Sequence, residues 1–141
     1  MRKHVCLSII CLLVFSGSFV CAESNIPNLV GKWKVVADGG VLIKGDKVSE
    51  ETHRETSFSK LVAEVVVEEQ KGRVFKGYFK TKKAKEKIVG VIGFDNKTLY
   101  HVDHDGFVLG KLVTPDKVEL VYLHAKPSDS VAAIATWERI K

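Results

Sequence analysis

The polar residues with the clearest capacity for chemistry lie close together in the second half of the chain. His101 and Asp103 alternate within a run of β-forming residues, so both side chains point to the same face of an extended strand. A histidine and a carboxylate at this spacing can act in proton transfer or bind a metal ion. His124, in a later apolar run, is a third candidate for proton transfer. These three residues are the candidate catalytic residues of the chain.

The same cluster also fits a purely structural role. Asp105-Gly106 stands between two runs of β-forming residues and is typical of a tight hairpin turn, because both central residues of a type I′ turn need positive φ. Asp103 and His104 would then flank that turn. The sequence holds no second pair of ligands at metal-binding spacing, and no P-loop, dinucleotide fingerprint or nucleophile elbow. We therefore favour the turn, and we predict neither a metal nor a cofactor.

The segment that positions these residues runs from Ile88 to His124 and predicts four short strands. Its apolar runs are rich in β-branched and aromatic residues, which favour strands. The turn signals between the runs are Asp95-Asn96, Asp105-Gly106 and Pro115-Asp116. Consecutive hairpins of this kind form an antiparallel meander.

The turn lengths also predict the neighbours of His101. If the first two turns contain two residues each, His101 lies opposite Gly90 on one neighbouring strand and opposite Gly110 on the other. Two glycines beside an imidazole leave space that fits either a ligand or a sharply bent barrel wall.

Alternating patterns elsewhere bring the total to about eight strands, and no segment has the pattern of a long amphipathic helix. The further predicted strands lie at 29–36, 61–69, 73–80 and 131–140. The irregular stretch from Ala37 to Ser59 predicts a long excursion, either a lid over a barrel or a surface loop. The pattern predicts an all-β fold, an antiparallel up-and-down β-barrel of about eight strands.

The first predicted strand carries a motif with a family resemblance. Leu29-Val30-Gly31-Lys32-Trp33 resembles the Gly-x-Trp opening of the calycins, which include the lipocalin, fatty-acid-binding and avidin barrels. Chain length and short turns are most similar to the avidins, since lipocalins are longer and carry a flanking helix. Avidins hold biotin with several tryptophans and a set of polar residues. This chain has only Trp33 and Trp137 and lacks matching polar residues after Trp33, so the resemblance does not extend to biotin binding.

A barrel of this size has room for about one small ligand. We favour a non-catalytic protein that binds a small, mostly apolar ligand in the barrel mouth. The aromatic residues predicted to line that site are Trp33, Phe75, Phe79, Tyr100, Tyr122 and Trp137. Two alternatives stay open. One is a filled barrel that serves as a structural or protein-interaction module, and the other is a small enzyme of isomerase or cyclase type that uses His101 and Asp103.

The N-terminus predicts export to the periplasm or the extracellular space. Arg2 and Lys3 precede an apolar run, and small residues follow it, which is typical of a signal peptide over residues 1–22. Lipidation of Cys21 is the alternative, but bulky Val20 is a poor match to a lipoprotein signal. Residues 23–141 would form a single domain without cysteine, because all three cysteines lie before residue 22.

Positive charge is concentrated between residues 76 and 87. The lysines there that could contact an anionic surface, such as a membrane, are Lys80, Lys82, Lys83 and Lys85. Without the predicted signal peptide, which contains Arg2 and Lys3, 20 basic and 17 acidic residues give a net charge of only +3, which is too weak to favour a membrane contact over a solvated hairpin. We predict no nucleic-acid partner.

Both faces of the predicted meander are apolar, whereas one face of a monomeric antiparallel barrel is normally polar. One face would carry Val89, Val91, Tyr100, Val102, Leu109, Val113, Val118, Leu120 and Tyr122. The other would carry Ile88, Ile92, Leu99, Val108, Leu112, Val121 and Leu123. We predict a homo-oligomer that associates through its barrel walls. Coverage of the outer wall by residues 37–59 of the same chain is the alternative.

Overall fold

Eight antiparallel strands, each hydrogen-bonded to its neighbours in sequence, close into one barrel because the last strand pairs with the first. The computed structural model describes residues 25–44 and 54–141. The strands are β1 (Gly31–Lys44), β2 (Arg54–Lys71), β3 (Val74–Lys80), β4 (Lys85–Ile92), β5 (Thr98–Val102), β6 (Gly106–Thr114), β7 (Lys117–Ala125) and β8 (Asp129–Arg139). The predicted all-β, up-and-down barrel is confirmed. The predicted signal peptide, residues 1–22, lies outside the described residues.

The described residues form no helix. Residues 25–44 and 54–141 therefore contain no helix that is long and apolar enough to cross a membrane. Strand alternation instead separates the two faces of the wall. In β4, for example, Ile88, Gly90 and Ile92 are buried in the barrel interior while Val89 and Val91 face outward.

One end of the barrel is closed by the residues of the Gly-x-Trp opening. The Trp33 side chain is fully buried, and its indole Nε1 donates a hydrogen bond to the Leu29 carbonyl at 2.9 Å. The Arg139 guanidinium lies 4.1 Å from the centre of the Trp33 ring and donates to two carbonyls of the entering chain. Gln70 accepts from the Leu29 amide and donates to the Pro27 carbonyl. These contacts tie the N-terminal segment across what we call the closed end.

The prediction of a long irregular segment from Ala37 to Ser59 is wrong, because both ends of this segment belong to strands. β1 continues to Lys44 and β2 begins at Arg54, so the two form one long hairpin. Residues 45–53 lie outside the described part. Gly39 packs against Ala133 of β8, where an added Cβ would approach the Ala133 Cβ to 2.7 Å. The glycine therefore marks a close contact between strands.

The neighbours of His101 are partly as predicted. Gly90 pairs with His101, but the partner on β6 is Val108 and the predicted Gly110 pairing is wrong. The cause is the turn between β5 and β6. The Asp103 side chain accepts hydrogen bonds from the Asp105 and Gly106 amides, so the chain reverses at residues 104–105.

The two predicted faces of the meander are correct through β6 and reversed in β7. β6 holds an extra residue between Leu112 and Thr114, and the register shifts there. Val118 therefore lies opposite Leu112 on the inside of the barrel. Along β7 this places Leu120 and Tyr122 inside and Val121 and Leu123 outside, the opposite of the prediction.

Candidate ligand cavity

A cavity of about 320 Å³ occupies the half of the barrel away from the closed end. We call this half the cavity end, and the connections at residues 81–84, 103–105 and 126–128 lie there. The volume falls at the lower end of the range for small-molecule sites, about 300–1,000 Å³. Its walls are mostly apolar and come from nearly every strand. The lining residues are Val35, Ala37, Gly39, Val41, Ser59, Leu61, Phe79, Glu86, His101, Asp103, Val108, Leu120, Tyr122, Val131, Ala133, Ala135 and Trp137.

Small side chains on β1 and β8 create the space. Ala37 and Gly39 face inward from β1, and they pair with Ala135 and Ala133 of β8, which also line the cavity. These small residues were not among the predicted ligand-binding residues, all of which are aromatic. The signal that could have revealed them is the alternation of small residues at 133 and 135 in the same strand as Trp137.

His101 forms part of the cavity floor, beside Trp137. The two ring centroids lie 5.2 Å apart, and the His101 side chain is only 7% exposed. Both ring nitrogens are buried and have no hydrogen-bond partner among the described residues. Burial lowers the pKa of His101 to about 4, so the imidazole is neutral at pH 7. A neutral imidazole supplies one N–H donor and one nitrogen acceptor.

Three carboxylates converge at the rim of the cavity. Glu86, Asp103 and Asp105 each place a carboxylate oxygen within 4.8 Å of the others, and the first two line the cavity itself. Glu86 was not among the predicted site residues; the β4–β5 register, in which Val89 pairs with Val102, brings it beside the β5–β6 turn. Oxygen ligands at such spacing can hold a hard cation. However, Asp103 already accepts two backbone hydrogen bonds of its turn.

The Asp105 carboxylate is paired with two neighbouring side chains on the rim. It forms an ion pair with Lys126, and this contact holds the pKa of the Asp105 carboxyl below its usual range. The Tyr122 hydroxyl donates to Asp105 at 3.1 Å. The pKa of Tyr122 is raised, mainly by burial and then by the charge of Asp103. Tyr122 therefore stays protonated and can act as a hydrogen-bond donor at the cavity rim.

His124, the third candidate for proton transfer, belongs to the same rim and does not line the cavity. Its Nε2 lies 2.8 Å from an Asp129 oxygen, and its Nδ1 lies 3.3 Å from the Tyr122 hydroxyl. The hydrogen bond from His124 lowers the pKa of the Asp129 carboxyl. Asp129, His124, Tyr122, Asp105 and Lys126 thus form one continuous polar chain. Its geometry orients the Tyr122 hydroxyl.

The six aromatic residues predicted to line a site lie in three places. Phe79, Tyr122 and Trp137 line the cavity. Trp33 and Phe75 are buried toward the closed end and do not line it. Tyr100 lies on the outer wall with 46% of its surface exposed.

The four lysines predicted to contact an anionic surface lie in or beside the β3–β4 connection, at the cavity end. They are Lys80, Lys82, Lys83 and Lys85, and all are exposed. The Lys85 ammonium lies 3.6 Å from the centre of the Tyr78 ring.

Comparison with known proteins gives structural similarity alone. A redesigned β-barrel has 12% identity and a TM-score of 0.48, over 86% of this chain and 98% of that one. An S-type phycobiliprotein lyase from Guillardia theta has 11% identity and a TM-score of 0.38, over 80% of this chain and 89% of that one. No protein-family profile and no curated protein sequence matches the chain.

Proposed function

We propose that the protein binds a small, mostly apolar molecule in the barrel cavity and does not transform it chemically. The observation that carries this proposal is the cavity of about 320 Å³, with mostly apolar walls, inside a barrel whose other end is closed by Trp33. A filled barrel, the structural alternative, would place side chains in that space. The Gly31-x-Trp33 opening adds the resemblance to calycins, whose barrels hold ligands in the same way.

The side chains of the cavity suggest how the ligand would lie. Its apolar body would pack between the small residues Ala133 and Ala135 and the rings of Phe79 and Trp137. Its polar end would lie at the rim, near Glu86 and the other carboxylates. Carboxylates only accept hydrogen bonds, so the polar end would have to donate one, as a hydroxyl or an amine does.

Filling the cavity tests this proposal. We would titrate purified protein with N-phenyl-1-naphthylamine, an uncharged dye that fluoresces in apolar surroundings, and compare Ala133→Leu with wild type. Ala133 faces the cavity and its neighbour Ala132 faces outward, so Ala132→Leu is the matched control. We expect Ala133→Leu to weaken dye binding about tenfold or more, since added side-chain volume occupies the ligand space. Ala132→Leu should bind like wild type.

Circular dichroism and thermal unfolding would show whether each variant folds. If folded Ala133→Leu binds the dye as wild type does, the dye does not enter the cavity and the proposal fails. Native mass spectrometry of protein from the producing cell would then identify any co-purified ligand. A bare protein with no dye binding would favour the structural or interaction module.

An enzyme of isomerase or cyclase type is the second candidate, because His101 and Asp103 both line the cavity. Its weakness is the pKa of His101, about 4, which makes the neutral ring a poor base near pH 7. His101→Gln separates the two functions. Under the binding proposal dye affinity stays within about threefold of wild type. Under the enzymatic one, turnover of any identified ligand would be abolished.

Export remains part of the proposal and rests on residues 1–22. The exported protein would begin after Ala22 and would contain no cysteine. Intact-mass measurement of protein from the exported fraction tests this directly. A mass that includes residues 1–22, or a mass increase from a lipid on Cys21, would contradict cleavage after Ala22.

A further inference from the structure

The outer wall of the barrel has one apolar side, formed by β4 to β8. A row of cross-strand neighbours crosses these five strands without a polar residue. The row consists of Val91, Tyr100, Leu109, Val121 and Ile134. Their exposed fractions range from 39% to 65%. The described residues therefore leave this row open to solvent, and the described part of residues 37–59 does not cover it.

A second row runs beside the first. It consists of Val89, Val102, Phe107, Leu123 and Ala132, again as successive cross-strand neighbours. We call the two rows together the apolar wall. The outward positions of β1 to β3 differ, because lysines and glutamates such as Lys34, Glu68 and Lys76 are exposed there. The surface is thus apolar on one side, whereas the other side, which we call the charged side, mixes charged residues with exposed apolar ones such as Phe58 and Val62.

The area of the apolar wall matches what one partner contributes to a stable protein interface. Its eight largest exposed side chains, at 39% to 65% exposure, present on the order of 700 Å². A standard interface buries about 800 Å² from each partner. Monomeric proteins seldom leave a contiguous apolar patch of this size in water.

The polar residues at the border of the wall indicate what covers it. Lys111 and Glu119 are cross-strand neighbours next to Leu109 and Val121 on the same outward face. Glu119 pairs with Lys117 at 3.0 Å, whereas Lys111 has no ion pair among the described residues. When a face packs against its own copy about a two-fold axis, every contact occurs twice. The lysine of each copy can then lie against the glutamate of the other. A lipid-facing wall would instead leave Lys111 and Glu119 in an unfavourable setting.

We propose that the protein forms a dimer in which the apolar walls of two copies pack face to face about a two-fold axis. Because the barrel is closed, no free β4 to β8 edge is available and the contact is between faces. Leu109 lies near the centre of this interface, with Tyr100 and Val121 beside it. The cavity lies inside each barrel and the apolar wall lies on its outer face, so formation of this dimer does not require a bound ligand.

Sedimentation velocity of purified protein over about 1–100 µM tests the dimer. We expect wild type to sediment with twice the mass of one chain. Leu109→Lys should raise the dimer dissociation constant on the order of 100-fold, because each copy would bury an unpaired charge. The matched control is Val62→Lys, a 64% exposed valine on the charged side. It should leave the dimer unchanged.

Thermal unfolding of Leu109→Lys separates dissociation from misfolding, and Tyr100→Glu is a second variant if the first does not fold. A wild type that stays monomeric at 100 µM, or a folded Leu109→Lys that stays dimeric, would overturn the proposal. Sedimentation with neutral phosphatidylcholine vesicles gives the other decisive result. If monomeric wild type sediments with the vesicles and Val62→Lys does so equally, the apolar wall meets lipid rather than a second copy.

A charge exchange tests the two-fold arrangement. Lys111→Glu should weaken the dimer about tenfold, since each Glu119 would then face a glutamate across the axis. The double variant Lys111→Glu with Glu119→Lys should restore most of the affinity. If the single variant dimerises like wild type, the two faces do not meet in this way.

Discussion

The imidazole of His101 packs against the indole of Trp137 with their ring centroids 5.2 Å apart, at the floor of the cavity. This contact places a titratable group among apolar side chains. Its two ring nitrogens find no partner among the described residues, although they are buried. Burying an unpaired polar group costs free energy, about 1–3 kcal/mol. The barrel therefore holds a polar group at a cost to its stability, at the base of the cavity in which a ligand would bind.

The first prediction concerns pH. His101 has an ordinary pKa of 6.5 and a pKa of about 4 in the folded protein, because burial disfavours its charged form. The unfolded chain thus binds more protons between these values. Protonation of His101 in the unfolded chain therefore lowers the free energy of unfolding as the pH falls. The loss is small above pH 6.5 and reaches on the order of 3 kcal/mol as the pH drops to about 4. His101→Gln should lose much less over this range.

Urea unfolding between pH 7.5 and pH 4 measures this effect. His104→Gln is the matched control, because His104 is exposed on the β5–β6 turn and should keep the wild-type pH dependence. If His101→Gln and wild type lose stability in parallel, the His101 ring is not neutral in the folded protein and the assigned cause is wrong.

The second prediction concerns the glycine beside His101. An added Cβ at Gly90 would meet the Phe75 ring and approach the His101 Cβ to 2.7 Å. Gly90→Ala should therefore lower the free energy of unfolding by about 2–3 kcal/mol, since both neighbours lie in a packed interior. Among the described residues, an added Cβ at Gly40 would have a single neighbouring atom, at 3.9 Å. Gly40→Ala should be neutral or slightly stabilising, by up to about 1 kcal/mol.

Thermal or urea unfolding of the two alanine variants checks this contrast. The double variant Gly90→Ala with Phe75→Leu should be less destabilised than the two single changes predict, because the smaller side chain relieves the contact. Strictly additive effects would show that Gly90 and Phe75 do not share this space.

The third prediction concerns the closed end. Gln70 makes three hydrogen bonds, with the Leu29 amide, the Pro27 carbonyl and the Gly72 carbonyl. Gln70→Ala should cost about 2–3 kcal/mol of unfolding free energy, because the part-buried backbone groups of the entering segment lose their partner. Glu68→Ala changes an exposed residue on the same strand and should cost less than about 0.5 kcal/mol.

Hydrogen exchange of the Leu29 amide gives a second readout for Gln70→Ala. Its exchange should accelerate more than that of amides in β4 or β7, since the change releases the N-terminal segment locally. A uniform acceleration would indicate a loss of global stability without a specific role in closing this end.

Much of the fold was contained in local patterns of the sequence. Alternating residues and turn signals predicted about eight antiparallel strands. Alternation along the first strand puts Trp33 and Val35 on one face, and both are buried in the core. The Gly90–His101 pairing also followed from a turn in the sequence, because register depends on turn length. These features depend on residues that are close in the chain, which is why sequence alone determined them.

Tertiary structure decided the features that depend on small local departures or on distant residues. The extra residue at Val113 reversed the two faces of β7, and the Asp103 side chain moved the next turn. Barrel closure, the pairing of β8 with β1, set Ala37 opposite Ala135. A shift of one residue exchanges inside for outside, and pairing between the first and last strands needs a closed sheet, so local patterns alone did not determine which face of β7 points inward or how β1 meets β8.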